Sequence, residues 1–406
     1  CGSAPAMWAL AVAPAALVGL LLLLLALRRR RRPSGAGGAL RVAFVHPDLG
    51  IGGAERLVVD AALALKRVGH DVSLFTARHE RGHCFEETRD GTLRVVVHGD
   101  FLPRRVLGRF YAACAYLRMC WIAFCLVALQ LTEPPFDVFI VDQVSICLPI
   151  FRLARPCGII FYCHYPDKLL TRRESLLKWL YRAPLDLAEE LTTGMADVVF
   201  VNSRFTAGVF AEAFPILHFC GVRPSVLYPA LNLDEQDRAL EGAGELDDPP
   251  RAGELLLLSI NRFERKKNVG LAVQALAMLP DALRERTRLI LAGGYDERLP
   301  ENVEHAQELG VLASGLRVQE RVQQLRSVSA RTKAALLARA DCLLYTPDRE
   351  HLGIVPLEAM YARVPVVAVN SGGPKETVVD GETGFLVPPE PSAWAGAVRR
   401  VLDEPG

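Results

Sequence analysis

Two carboxylates stand eight residues apart in Glu350-His351-Leu352-Gly353-Ile354-Val355-Pro356-Leu357-Glu358, and His351 is the only other polar residue in the segment. Proline suits the first helical position, where its missing N–H costs no hydrogen bond. A helix is therefore expected to start near Val355, with Glu350 on the loop before it and Glu358 in its first turn. Such a helix head offers free backbone amides to an anion, here those around Ile354 and Val355, and Gly353 lets a ligand come close to the backbone. An anion site flanked by two hydroxyl-accepting carboxylates suits a phosphorylated sugar. The competing reading is an ordinary helix whose Glu358 only complements the helix dipole.

Three further groups carry chemistry. Arg262-Phe263-Glu264-Arg265-Lys266-Lys267-Asn268 follows the strand-like run Leu255–Asn261 and precedes a helix. Cations at a helix start oppose its dipole, so a bound anion would relieve them; a solvated basic turn is the alternative. His164 closes the strand-like run Ile159–Tyr162, either as a satisfied structural imidazole or as part of a site. Gly50-Ile51-Gly52-Gly53-Ala54-Glu55 joins a strand to a helix as a dinucleotide fold would, but Glu55 takes the place of the third fingerprint glycine. NAD and FAD are rejected on that ground. Gly52 and Gly53 then form either a phosphate-facing loop or a plain connecting turn.

Strand-like runs at Leu40–His46, Val72–Thr76, Leu93–His98, Val138–Asp142, Ile159–Tyr162 and Asp197–Val201 alternate with helical stretches. After Glu241–Glu254, which has the composition of a linker, the alternation resumes at Leu255–Asn261, Leu289–Gly294, Asp341–Pro347, Val364–Val369 and Gly381–Val387. That order predicts an α/β protein of two Rossmann-like domains, residues 40–240 and 254–406, the second stopping within a helix as though truncated. At 406 residues the chain exceeds what one core usually supports, which agrees with two domains. A net charge of +1 gives no basic field for nucleic acid. The ten cysteines include no Cys-x-x-Cys pair and read as reduced thiols. No Asp-x-Asp triplet occurs, so the usual metal–phosphate ligands are lacking, and no metal or cofactor is expected.

Trp8–Leu27 is a run of twenty uncharged residues followed by Arg28–Arg32. It is long enough to span a bilayer, and the arginines place the rest of the chain on the cytoplasmic side. A second apolar stretch, Tyr111–Leu131, is interrupted by Arg118 and reads as a buried helix or as one dipping into a membrane face.

The Glu350–Glu358 spacing resembles the Glu-x7-Glu element of the retaining family-4 glycosyltransferases, and Arg262 with Lys267 resembles their donor-pyrophosphate pair. Leu352 departs from that pattern, in which an aromatic residue is usual. His46-Pro47-Asp48-Leu49-Gly50, Phe161-Tyr162-Cys163-His164, Asn261–Asn268, Gly293–Arg298 and the Glu350 block together resemble the dolichol-pathway α-1,3/α-1,6-mannosyltransferases over roughly residues 40–400. The resemblance implies the GT-B architecture, two Rossmann-like domains facing a cleft, and GDP-mannose as donor. It further implies a mannosyl-chitobiosyl-diphosphodolichol acceptor on the cytosolic face of the endoplasmic reticulum membrane, and it leaves room for a complex with other glycosyltransferases of that pathway. Glu350, Lys267, Arg262 and His164 become the catalytic set by this resemblance. Glu358, Gly353, Ile354, Val355, Gly293 and Tyr345 become donor-binding, and Gly52 and Gly53 the acceptor and phosphate loop. A pathway α-1,2-mannosyltransferase and a catalytically silent membrane scaffold stay open as other readings.

Overall fold

A computed structural model describes residues 38–403 apart from 107–109, 155–156, 172–174, 245 and 247. The anchor stretch Trp8–Leu27 lies outside the described residues. Two compact units divide between Ala230 and Leu231. Sequence composition placed the linker later, at Glu241–Glu254; the helix Leu233–Glu241 instead packs with the second unit, where Asp237 Oδ1 accepts the Tyr361 hydroxyl at 2.6 Å.

The first unit holds a seven-stranded parallel sheet of β1 (Arg41–His46), β2 (Asp71–Thr76), β3 (Arg94–Val97), β4 (Val138–Asp142), β5 (Gly158–Cys163), β6 (Val198–Val201) and β7 (Ser225–Val226). Spatial order is β3-β2-β1-β4-β5-β6-β7. The central strands are nearly continuous apolar runs because helices cover both faces: β1 is buried from Val42 to His46. One face packs Phe139, Phe151, Phe161 and Met119; the other packs Val42, Phe44, Val58 and Leu74.

The second unit repeats the plan with β8 (Leu255–Ile260), β9 (Thr287–Gly293), β10 (Val322–Arg326), β11 (Cys342–Tyr345), β12 (Val366–Val369) and β13 (Gly384–Val387), ordered β10-β9-β8-β11-β12-β13. Every strand pair in both sheets is parallel. In each sheet the strand order reverses direction once, between β1 and β4 and between β8 and β11, and the carboxyl ends of those strands border a crevice. The residues that could do chemistry sit at these two places.

Tyr111–Leu129 forms a helix with a single charged residue, Arg118. Its inner face, including Met119, Ile122, Ala123 and Leu126, is buried against the sheet, and Arg118 is buried in an ion pair with Asp48. Leu117, Trp121 and Phe124 remain exposed on the opposite side.

Candidate active site

In the second unit, β8 and β11 bring two loops together. After β8 the chain makes a short 3-10 turn, Arg265–Lys267, and the next helix begins only at Gly270. The cations are therefore not at a helix start, as the sequence reading had them, and their charge is met by carboxylates. Arg262 pairs with Glu264 at 2.9 Å, Lys266 with Glu264 at 3.1 Å, and Arg265 with Glu304 and Glu308. Lys267 alone turns inward, forming an ion pair with Glu350 while its carbonyl accepts the Thr346 hydroxyl at 2.7 Å. Burial opposes ionisation of Glu350, but the neighbouring Lys267 ammonium outweighs it and holds the carboxyl below its ordinary range.

The Glu350 loop is held by a glycine turn that the spacing of the acids did not reveal. Gly373 donates its N–H to the Glu350 carbonyl at 2.7 Å, and a Cβ on Gly373 would stand 2.2 Å from the Leu352 Cα. Gly373→Ala must push these two backbones apart, so it is expected to cost about 1–3 kcal/mol and to displace Glu350. Thermal unfolding together with turnover checks this; an alanine variant with unchanged Tm and rate would refute it.

The helix itself is Ile354–Tyr361, capped by Gly353 at φ 86°. It starts one residue earlier than Pro356 indicated, because a proline is harmless anywhere among the first residues that lack helical partners for their N–H groups. Glu358 thus lies a turn into the helix and not in its first turn. Its side chain is buried; Oε1 accepts Lys333 Nζ at 2.7 Å, and Oε2 has no hydrogen-bond partner among the described residues. A buried carboxylate oxygen left bare is costly unless a ligand donor completes it. Ile354 and Val355 are the first two helical residues, with amides free of helical partners. Gly353 lies against the buried ring of Tyr345, where a Cβ would come within 2.9 Å. Gly293, at φ 147°, passes close enough to Asn261 that a Cβ would meet its carbonyl at 2.1 Å. Lys267, Glu350, Gly353, Ile354, Val355 and Glu358 therefore gather on the two loops and the helix at the β8–β11 crevice, with Tyr345 at the end of β11 beside them. Arg262 shares the first loop, but its largely exposed guanidinium is turned to Glu264. Lys333 and Thr346 were missed by sequence reasoning, since neither lies at a telling spacing from its partner.

The first unit carries a second polar centre at its own crevice. Gly52 caps the helix Gly53–Arg67, and a Cβ on Gly52 would stand 2.3 Å from Glu55 Oε2, so the glycine makes room for that carboxylate to fold back. Glu55 Oε1 lies 3.9 Å from His46 Nε2, and His46 Nδ1 lies 2.7 Å from Asp142 Oδ2. His164, one residue past β5, has Nε2 at 2.8 Å from Asp142 Oδ1. Just past His164, the amides of Asp167 and Lys168 donate at 2.7 and 3.0 Å to buried Glu189 on the helix Leu176–Thr193, and burial lifts that carboxyl to about 7.

Burial pulls the His46 pKa down, but its bonds to Asp142 and Glu55 prevail and raise it to about 9. Asp142 is held at about 2, burial opposing and His164 and His46 prevailing. A raised imidazole contributes stability that is full below pH 6.5 and is lost as pH rises through 9. The loss is on the order of 3 kcal/mol. Melting curves should therefore show Tm falling across pH 6.5–9, with the slope flattened in His46→Gln; an equal slope in the variant would refute this linkage.

Residues 51–235 match the Glycosyltransferase Family 4 model, and residues 247–406 match the model of Glycosyl transferases group 1. The chain is 52% identical over 372 residues to the alpha-1,3/1,6-mannosyltransferase ALG2 of Homo sapiens, covering 90% of this chain and 88% of that protein. The chain belongs to the alpha-1,3/1,6-mannosyltransferase family. The ALG2 of Rhizomucor pusillus is 48% identical over 389 residues, spanning 90% of this chain and 84% of that protein. Among solved structures, a sucrose-phosphate synthase from Thermosynechococcus elongatus superposes with a TM-score of 0.67 at 21% identity, covering 90% of each chain, a likeness of fold. Membership makes the chain a mannosyltransferase of the GT-B class, and the two Rossmann-like units agree with that class.

Proposed function

We propose that the chain moves mannose from GDP-mannose to a mannosyl-chitobiosyl-diphosphodolichol acceptor, first in α-1,3 and then in α-1,6 linkage, with retention at the sugar carbon. The observation that carries the reading is the Lys267–Glu350 pair at the β8–β11 crevice, with Glu350 four residues before a helix head whose first amides lack helical partners. The departing GDP gains charge as the C1–O bond lengthens and the sugar becomes cation-like. Lys267, the amides of Ile354 and Val355 and, once released from Glu264, Arg262 are placed to take up that charge without a divalent ion. Glu358 Oε2 accepts a ribose hydroxyl and Glu350 a mannose hydroxyl. The acceptor oxygen forms its bond to C1 on the face GDP leaves, and its proton passes to the released phosphate. Incubation with GDP-mannose and a synthetic lipid-linked acceptor in excess chelator, followed by linkage mapping, tests this. Successive α-1,3 and α-1,6 products are expected; α-1,2 products, or no transfer until a metal is added, would overturn it.

The lipid acceptor calls for contact with the endoplasmic reticulum membrane, on its cytosolic side. The helix Tyr111–Leu129 contains an 18-residue stretch with a mean hydropathy of 1.9, yet 39% of that stretch is buried within the protein. A helix packed on its own sheet along one face is suited to lie on a bilayer with the other, through Leu117, Trp121 and Phe124. In vesicle flotation of a variant lacking residues 1–37, so that the Trp8–Leu27 stretch cannot hold it on the membrane, Phe124→Asp should shift the protein toward the unbound fraction; unchanged flotation would count against this face.

A further inference from the structure

We propose that Asp142 is a positioning residue for His164, a buried carboxylate that fixes which imidazole nitrogen carries the proton. The proposal rests on the mannosyl-transfer reading only for its kinetic arm. Asp142 ends β4 with its side chain 2% exposed, so its two oxygens must find partners inside the protein. Oδ2 meets His46 Nδ1 at 2.7 Å. Oδ1 lies 2.8 Å from His164 Nε2, an ion-pair contact between two buried atoms that, among the described residues, form no aligned hydrogen bond.

The two imidazoles differ in their surroundings, and the difference divides the labour. His46 is flanked by Asp142 and, at 3.9 Å, by Glu55, so the positive charge that balances Asp142 resides there. His164 meets the carboxylate through Nε2 and keeps 18% of its side chain open. A carboxylate opposite Nε2 demands a proton on that nitrogen, which leaves Nδ1 of the neutral ring as a hydrogen-bond acceptor. The ring has little freedom to escape this choice. Asn202 Nδ2 donates to the His164 carbonyl at 3.1 Å, and the Tyr162 ring packs on the imidazole with centroids 4.7 Å apart. Tyr162 is itself tied down by its hydroxyl, which donates to the Leu227 carbonyl at 2.8 Å. The row Glu55–His46–Asp142–His164 thus runs from the Gly52 turn to the end of β5, and it presents one defined imidazole tautomer for a sugar hydroxyl.

The test uses the full chain labelled with 15N-histidine, read by two-bond proton–nitrogen correlation, with His164 assigned by its loss in His164→Gln. The expected wild-type signal is the Nε2–H form, becoming a tautomer mixture in Asp142→Asn. Transfer by Asp142→Asn should fall about 100-fold in kcat/KM, as for a misplaced reacting group, with KM for GDP-mannose within about twofold because the donor groups lie in the other unit. In a His164→Gln background the same change should cost less than about threefold, since the group it acts through is gone. An Nδ1–H or doubly protonated His164 in the wild type, or a double variant whose loss is the product of the single losses, overturns the proposal. Should Asp142→Asn fail to fold, the wild-type tautomer decides alone. A wild type that shows the Nε2–H form but no transfer from GDP-mannose would instead sink the functional reading and leave this one standing.

Discussion

Lys267→Ala is expected to lower kcat for mannosyl transfer by about 10²–10³-fold, the usual cost of removing one group preorganised for developing negative charge. The size follows from its placement. Of the four cations between Arg262 and Lys267, it alone is mostly buried and reaches across to the Glu350 loop. Folding should survive, because Glu350 keeps 20% of its side chain open to water and can be solvated once its partner is lost. Lys266→Ala provides the contrast. That side chain is 66% exposed and pairs locally with Glu264, so transfer should change by less than about twofold. Steady-state rates with both variants, alongside circular dichroism, check the pair; near-normal transfer by folded Lys267→Ala would defeat the charge-neutralisation mechanism.

Glu358→Ala should act on binding more than on the chemical step. Its Oε2 is buried and, among the described residues, without a hydrogen-bond partner, so on the proposed reading the donor would supply its first hydrogen bond. A hydrogen bond to a charged group is worth about 1.5–3 kcal/mol, which corresponds to a rise in KM for GDP-mannose of roughly 10–150-fold. Because the ribose is held alike in ground and transition states, kcat should fall far less than in Lys267→Ala. Lys333 loses its partner but is 30% exposed, so the fold should tolerate the change. Calorimetric titration with GDP gives an independent reading, and an affinity equal to wild type would remove Glu358 from the donor site.

Much of the architecture was legible because a strand covered on both faces must be apolar throughout. β1, β4, β8 and β9 are such runs. Two strands were not found. β7 has only two residues, and β10, Val-Gln-Gln-Leu-Arg, lies at a sheet edge where polar side chains are tolerated. Glu350, Glu358 and Lys267 stood out in the sequence because each belongs to a short segment, two loops and one helix head, in which charged residues and glycine cluster. What stayed hidden were partners brought in from elsewhere in the fold: Lys333 onto Glu358, Gly373 onto the Glu350 loop, and His46 onto Asp142 across 96 residues. No spacing rule connects residues on different βα units. Polar residues closing otherwise buried strands, as His46 and Asp142 do, were the one signal that pointed there. Arg262 lies on the loop after β8, and only the structure shows its guanidinium paired with Glu264.

The most direct measurement is a crystal structure of the chain with GDP-mannose in the presence of a chelator. The β-phosphate should lie within hydrogen-bonding distance of Lys267 Nζ and of the Ile354 or Val355 amide, with a ribose hydroxyl donating to Glu358 Oε2. A donor lodged away from these groups, or one bound only through an added divalent ion, would overturn the mechanism.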